Sequence, residues 1–203
     1  MSPQFFNRRF LLLLAGGLLL LIALPFLSGG LLLASGVGGL QPNSRAPDFQ
    51  LHTRDQQLVT LNEQLSRPLF LSFGYQHCNQ SCPVQISLLK QIAAEVGAQA
   101  GFVWISLDPE TDIHLPPLNQ QYLFPQLQEL FTETTAEAEA LARGYNGSSR
   151  KVSSTESDYL QHTSFVYLID QHQTLRLIYQ GTATSADTIL ADLKALDIIK
   201  DGV

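Results

Sequence analysis

Hydrophobic and polar positions divide this chain into stretches of different period. Phe10 to Leu33 carries no charged residue and is mostly leucine. At about 1.5 Å rise per residue it makes roughly 36 Å of helix, enough to cross the ~30 Å hydrocarbon core of a bilayer. Arg8 and Arg9 precede it, and no further Arg or Lys appears until Arg45. That asymmetry predicts a cytoplasmic N-terminus over 1–9 and export of everything that follows. A cleaved signal peptide ending near Ala34-Ser35-Gly36 is the alternative. The apolar run is far longer than the about 7–15 residues of a signal core, which favours a retained single-pass anchor over 10–33. Pro25 introduces a kink that a membrane helix tolerates. Residues 34–45 are rich in Gly, Pro, Asn and Ser and read as a linker. The folded domain is then expected over 46–203.

Within that domain the periods alternate. Ala46–Leu51 and Gln57–Leu61 predict a short hairpin with Asp55 near its turn. Pro68–Phe73 is a short apolar run, the signature of a strand buried on both faces. From Pro83 to Val96 the apolar positions Val84, Ile86, Leu88, Leu89, Ile92, Ala93 and Val96 recur at helical spacing, with Asn79 or Ser81 as the cap and Pro83 in the first turn. Phe102–Leu107 predicts a second buried strand, Thr135–Tyr145 a helix and Ser164–Ile169 a third strand. Leu175–Tyr179 pairs with the last of these across a polar turn, and Ser185 opens a final helix through Leu196. The resulting order, β-α-β-α-β-β-α, predicts an α/β domain of thioredoxin-like type, with a central sheet flanked by helices.

Composition narrows the function. The net charge is −6 and no basic stripe exists, which argues against a nucleic-acid partner. The chain has two cysteines, too few for a disulfide framework. Both fall in Gly74-Tyr-Gln-His-Cys-Asn-Gln-Ser-Cys-Pro83, at the end of the first buried strand, where ligands gather in open α/β sheets. Cys78 and Cys82 at i,i+4 spacing put both sulfurs on one side of a helix start. Their Cα atoms then lie about 6 Å apart, compatible with a disulfide as well as with shared metal ligation. A helix N-terminus favours thiolate over thiol, which serves both chemistries. Soft thiolates with imidazole suit Cu(I) and zinc, but structural zinc needs four protein ligands and there is no second cysteine pair. Among the five histidines, His52, His114 and His172 read as surface residues and His77 as facing away from the sulfurs. His162, just before the third strand, reads as lying in a loop against the cysteine-bearing helix start. Thioredoxin-like oxidoreductases carry a cis-proline in that loop, and this chain has no proline after Pro125. That favours a histidine completing a three-ligand soft site over a general disulfide oxidoreductase.

The runs FLSFGYQHCNQSCP, WISLDPETD and DYLQHTSFVYLID together resemble the Sco/SenC family of membrane-anchored copper proteins over roughly residues 46–196. The resemblance implies a thioredoxin-like domain that binds one copper, as Cu(I) or Cu(II), through Cys78, Cys82 and His162. It also implies delivery to the copper-receiving subunit of cytochrome c oxidase at its binuclear copper centre, with thiol-disulfide reduction of that subunit as an alternative role. Three departures stand out. Gln76-His77-Cys78-Asn79 replaces the usual Thr-x-Cys-Pro, no acidic residue lies between the cysteines, and Asp108-Pro-Glu-Thr-Asp-Ile113 lacks the usual arginine.

On this reading the metal is transferred by ligand exchange through an open three-coordinate Cu(I) site. Oxidation of Cys78 and Cys82 to a disulfide releases it, and protonation of His162 weakens it. Asp108 and Asp112 are the expected supports for the ligands. A membrane-tethered reductase using Cys78 as nucleophile and a copper or redox sensor are the other readings. The absence of a Ser/Arg-rich transit segment favours a bacterial periplasm over the mitochondrial intermembrane space.

Overall fold

The computed structural model describes residues 37–152 and 159–199. The expected membrane anchor lies outside them. Among the described residues no helix is long and apolar enough to cross a membrane.

The order begins with β1 (Ser44–Arg45), β2 (Gln50–His52), β3 (Leu58–Thr60), α1 (Leu61–Gln64), β4 (Leu69–Gly74) and α2 (Ser81–Val96). Next come β5 (Gly101–Ser106), α3 (Pro109–Asp112), α4 (Leu118–Gln121), β6 (Leu127–Leu130) and α5 (Thr135–Gly144). The last elements are β7 (Ser149–Val152), β8 (Tyr159–His162), β9 (Phe165–Ile169), β10 (Thr174–Gln180) and α6 (Ala186–Ala195). The main sheet has the order β1-β10-β9-β4-β5-β6. Strands β4, β5 and β6 are parallel, while β9, β10 and β1 run antiparallel to their neighbours. This is the expected thioredoxin-like α/β architecture, with helices covering a mixed sheet.

Burial explains why the central strands were legible. Every residue of β4 and of β5 is buried, so both read as continuous apolar runs, as strands covered on both faces do. Phe70 and Phe102 are cross-strand partners and stack with ring centroids 5.3 Å apart. Helix α2 lays Ile86, Leu89, Ile92, Ala93 and Val96 into the core. Ser185 caps α6 by accepting from Thr188 N–H, and a reciprocal Thr60–Glu63 capping box opens α1. The first hairpin also forms, its turn closed by Thr53 and Gln57 backbone groups with Asp55 between them.

Three features go beyond the expected outline. Strand β6 adds an edge beside β5. Residues 37–45, read as linker, are bound to the domain: Leu40 bridges Ile178 and β1 pairs with β10. Asp192, buried on α6, accepts from the backbone N–H of Gly38 and Gly39 at 2.9 and 3.2 Å and from Tyr179 O–H at 3.0 Å. Finally, His162 is not in a loop. It ends β8, which pairs with β7 in a separate two-stranded ribbon.

Candidate metal centre

Strand β4 delivers the chain to the site. Beyond Gly74 it turns sharply, Cys78 N–H donating to the Tyr75 carbonyl at 3.2 Å, and α2 begins at Ser81. The start of α2 lacks the expected side-chain cap: neither Asn79 nor Ser81 fills that role, and the N-cap residue Gln80 makes no such bond. The Cys78 sulfur does the work instead, accepting the Cys82 backbone N–H at 3.3 Å. An orphan helix donor is thereby satisfied by sulfur, and the positive end of the helix faces it. Ser81 Oγ lies 3.4 Å from the same sulfur.

The second cysteine sits deeper, in the first turn of α2, and Gly74 makes room for it. A Cβ at Gly74 would lie 2.1 Å from the Trp104 ring and 2.9 Å from Cys82 Sγ. Only a residue without a side chain fits between the indole and the thiol.

His162 closes the site from the ribbon. Its Nε2 is 3.4 Å from Cys82 Sγ, while Nδ1 lies 3.1 Å from the Thr163 carbonyl. A carbonyl only accepts, so Nδ1 carries the proton and Nε2 presents its lone pair to the sulfurs. The support is rigid. Thr163 N–H donates to the Ser148 carbonyl, Ser148 N–H returns to Thr163 Oγ1, and Tyr75 packs edge-on against the imidazole at 5.7 Å. The Cys78 and Cys82 sulfurs and a His162 ring nitrogen all lie within 4.8 Å of one another.

The two thiols are unequal. The hydrogen bond from Cys82, helped by those from Ser81 and the Cys82 backbone, pulls Cys78 far below the ordinary thiol range against the cost of burial. Cys82 is pushed up, because it donates to Cys78 and is buried beside a thiolate. Cys78 is thus the thiolate of the pair and Cys82 the retained proton. Together with an aimed imidazole nitrogen this is a soft, partly charged donor set, able to take a Cu(I) ion or to attack a disulfide.

The remaining predicted residues form a second group. Asp112 is buried, accepts Gln76 N–H at 3.1 and 3.2 Å and Ser106 O–H at 2.7 Å, and is raised to about 6 by burial despite those donors. It therefore grips the backbone two residues before Cys78 rather than a ligand side chain. Asp108 and His77 lie beside it, not beside the sulfurs. Sequence reasoning missed the frame around this loop. Gln76 Nε2 donates to Glu129 of β6, and Glu129 pairs with Arg54 of the first hairpin at 3.2 Å. Arg54 also donates to the carbonyls of Asp112, Ile113 and Leu115. Gly74 was the one visible signal, a glycine ending an otherwise bulky buried strand.

Known proteins resemble this chain in sequence and in fold. The chain is 30% identical over 129 residues to the human protein "Protein SCO1 homolog, mitochondrial", a match covering 60% of this chain and 42% of that relative. The matched stretch therefore spans less than half of the human protein. The crystal structure of Arabidopsis thaliana ScoI with copper bound superposes with a TM-score of 0.64 at 23% identity, covering 76% of this chain and 98% of that one. BsSco, described with a disulfide switch as a member of the Sco family of cytochrome c oxidase assembly proteins, gives 0.60 at 20% identity, covering 79% and 97%. The SCO1/SenC family model matches residues 38–197, and on that match the chain belongs to the SCO1/SenC family.

Proposed function

We propose that this protein binds one copper ion through Cys78, Cys82 and His162 and delivers it to the copper-receiving subunit of cytochrome c oxidase. The observation that carries the reading is the convergence of two sulfurs and one lone-pair nitrogen within 4.8 Å, from elements 80 residues apart. That donor set fits a three-coordinate Cu(I). One thiolate is already formed, the second thiol loses its proton on binding, and the imidazole needs no tautomer change. One open side remains through which an acceptor's thiolate can enter, so copper passes by ligand exchange. Copper-bound and assembly-factor relatives support the cargo and its destination. The site also accepts Cu(II), with its nitrogen ligand in place. Residues 10–33 serve as the membrane anchor and hold the domain on the periplasmic side. The mitochondrial intermembrane space is the alternative, and the name of the human relative, "Protein SCO1 homolog, mitochondrial", supports keeping it.

Anaerobic Cu(I) titration of the reduced full chain against a chromophoric competitor tests this. One tight copper per chain is expected. Cys78→Ser, Cys82→Ser and His162→Ala each weaken it by about tenfold or more, which is ~1.4 kcal/mol or more. The unequal thiols favour a second reading, a tethered thiol-disulfide reductase with Cys78 as nucleophile. Catalytic disulfide reduction that ignores His162→Ala, together with weak copper binding, would establish that reading instead. The sensor alternative predicts tight copper and no transfer to an acceptor.

A further inference from the structure

The loop that carries Cys78 also carries one member of a donor set of opposite chemical character. Ligating atoms of His77, Asp108 and Asp112 lie within 4.8 Å of one another. Asp112 is 1% exposed, Asp108 is half-buried and His77 is exposed. Two carboxylates this close repel, and a buried carboxylate demands a countercharge. The donors to Asp112 are a neutral amide and a neutral hydroxyl. The ion pairs of His52, Arg54, Arg143 and Arg176 do not include Asp108 or Asp112. The nearest guanidinium, Arg54, is turned to the Asp112 carbonyl and to Glu129. His77 and Asp108 line a cleft of about 580 Å³, whose walls include Tyr75, Glu110, Thr111 and Lys151. An ion therefore has a path in from solvent.

We propose that His77, Asp108 and Asp112 form a second metal site that takes a divalent first-row cation, Cu(II) foremost. One imidazole and two carboxylates are a harder donor set than two thiolates, and N/O sites favour Cu(II) over the other divalent ions of that row. Metal–oxygen and metal–nitrogen bonds of about 2.0–2.2 Å bring donors within about 4.4 Å of each other. Three donors spread evenly around one ion lie at most about 3.8 Å apart at that bond length, so a set within 4.8 Å closes by about 1 Å or less, through the exposed His77 ring. The loop then supplies nitrogen to the oxygen-rich set through His77 and sulfur to the soft site through the adjacent Cys78. It sorts ions by hardness across a single peptide bond.

The test uses the tag-free full chain in detergent with both thiols removed (Cys78→Ser, Cys82→Ser), so that the soft site is silent. It is titrated with Cu(II) alone and followed by electron paramagnetic resonance. The expected result is one Cu(II) per chain with nitrogen hyperfine structure. His77→Ala should abolish that structure and weaken binding about tenfold or more, and Asp108→Asn should weaken it comparably. His162→Ala in the same background should change neither. Both test residues lie outside the core, and circular dichroism confirms that each variant folds. Absence of stoichiometric Cu(II), a spectrum indifferent to His77→Ala, or nitrogen coupling lost with His162→Ala overturns the proposal. Because the thiols are absent, failure here leaves the Cu(I) reading standing. His77→Ala in the unmodified chain should leave Cu(I) affinity unchanged.

Discussion

Gly74→Ala isolates a single methyl group at the centre of the site. The added Cβ would lie 2.1 Å from Cζ2 and 2.7 Å from Cη2 of Trp104, and 2.9 Å from Cys82 Sγ. Ordinary contact begins near 3.4 Å, so the ring must retreat by about 1.3 Å and the sulfur by about 0.5 Å. Trp104 is 1% exposed and Cys82 2%, which leaves neither an easy way out. Overpacking of this kind costs about 1–3 kcal/mol. At about 2–4 °C per kcal/mol for a domain of this size, Tm should fall by roughly 2–12 °C. The effect on copper is separate. Metal–ligand distances tolerate about 0.2 Å, so a sulfur displaced by 0.5 Å should weaken Cu(I) about tenfold or more. Trp104 is the only tryptophan in the chain, and its emission reports the same displacement directly. Gly144→Ala is the control, because its Cβ meets Pro47 at an ordinary 3.5 Å. If Gly74→Ala melts and binds Cu(I) as the parent does, the packing account of Cys82 is wrong.

Further expectations concern protons and polar anchors. With Cys78 already a thiolate and Cys82 protonated, Cu(I) binding between about pH 7.5 and 9, above the ordinary imidazole range, should release one proton. Calorimetry in buffers of different ionisation enthalpy counts it, and a value of two would mean that Cys78 is not preionised. Arg54→Met removes donors from three carbonyls and a partner from Glu129. Denaturant unfolding should show a loss of about 1.5–3 kcal/mol, and parent-like stability would deny Arg54 its bracing role. Asp192→Ala leaves the Gly38 and Gly39 N–H groups and the Tyr179 hydroxyl without their acceptor. It should cost about 1–3 kcal/mol and speed proteolysis near residue 40, whereas unchanged cleavage would show that the carboxylate does not hold that segment.

The parts of this fold that bury two faces or one helical stripe were legible from pattern alone. Strands β4, β5, β9 and β10 and helices α2, α5 and α6 all carry such a signal. Strand β6, Leu-Gln-Glu-Leu, has only its two ends in the core, too short a period to register. The β7–β8 ribbon reads Ser-Arg-Lys-Val and Tyr-Leu-Gln-His with no fully buried residue. Its pairing rests on backbone bonds that leave no mark in hydropathy, and this is why His162 was read as lying in a loop. The thiols declared themselves by spacing, whereas the distance from Cys82 to His162 exists only after β9 has been laid beside β4. The Arg54–Glu129–Gln76 frame joins residues scattered over 75 positions. Such polar cross-links have no period to detect.

The grip of Asp192 on Gly38 and Gly39 fixes where this domain can be cut. A soluble fragment beginning at Ala46, or even at Gln41, discards two of the three donors to that buried carboxylate and the strand pair of Leu40 with Ile178. It would enter any assay already weakened, and lost affinity would be misread as a property of the metal site. A fragment that starts at or before Val37 keeps the seam closed.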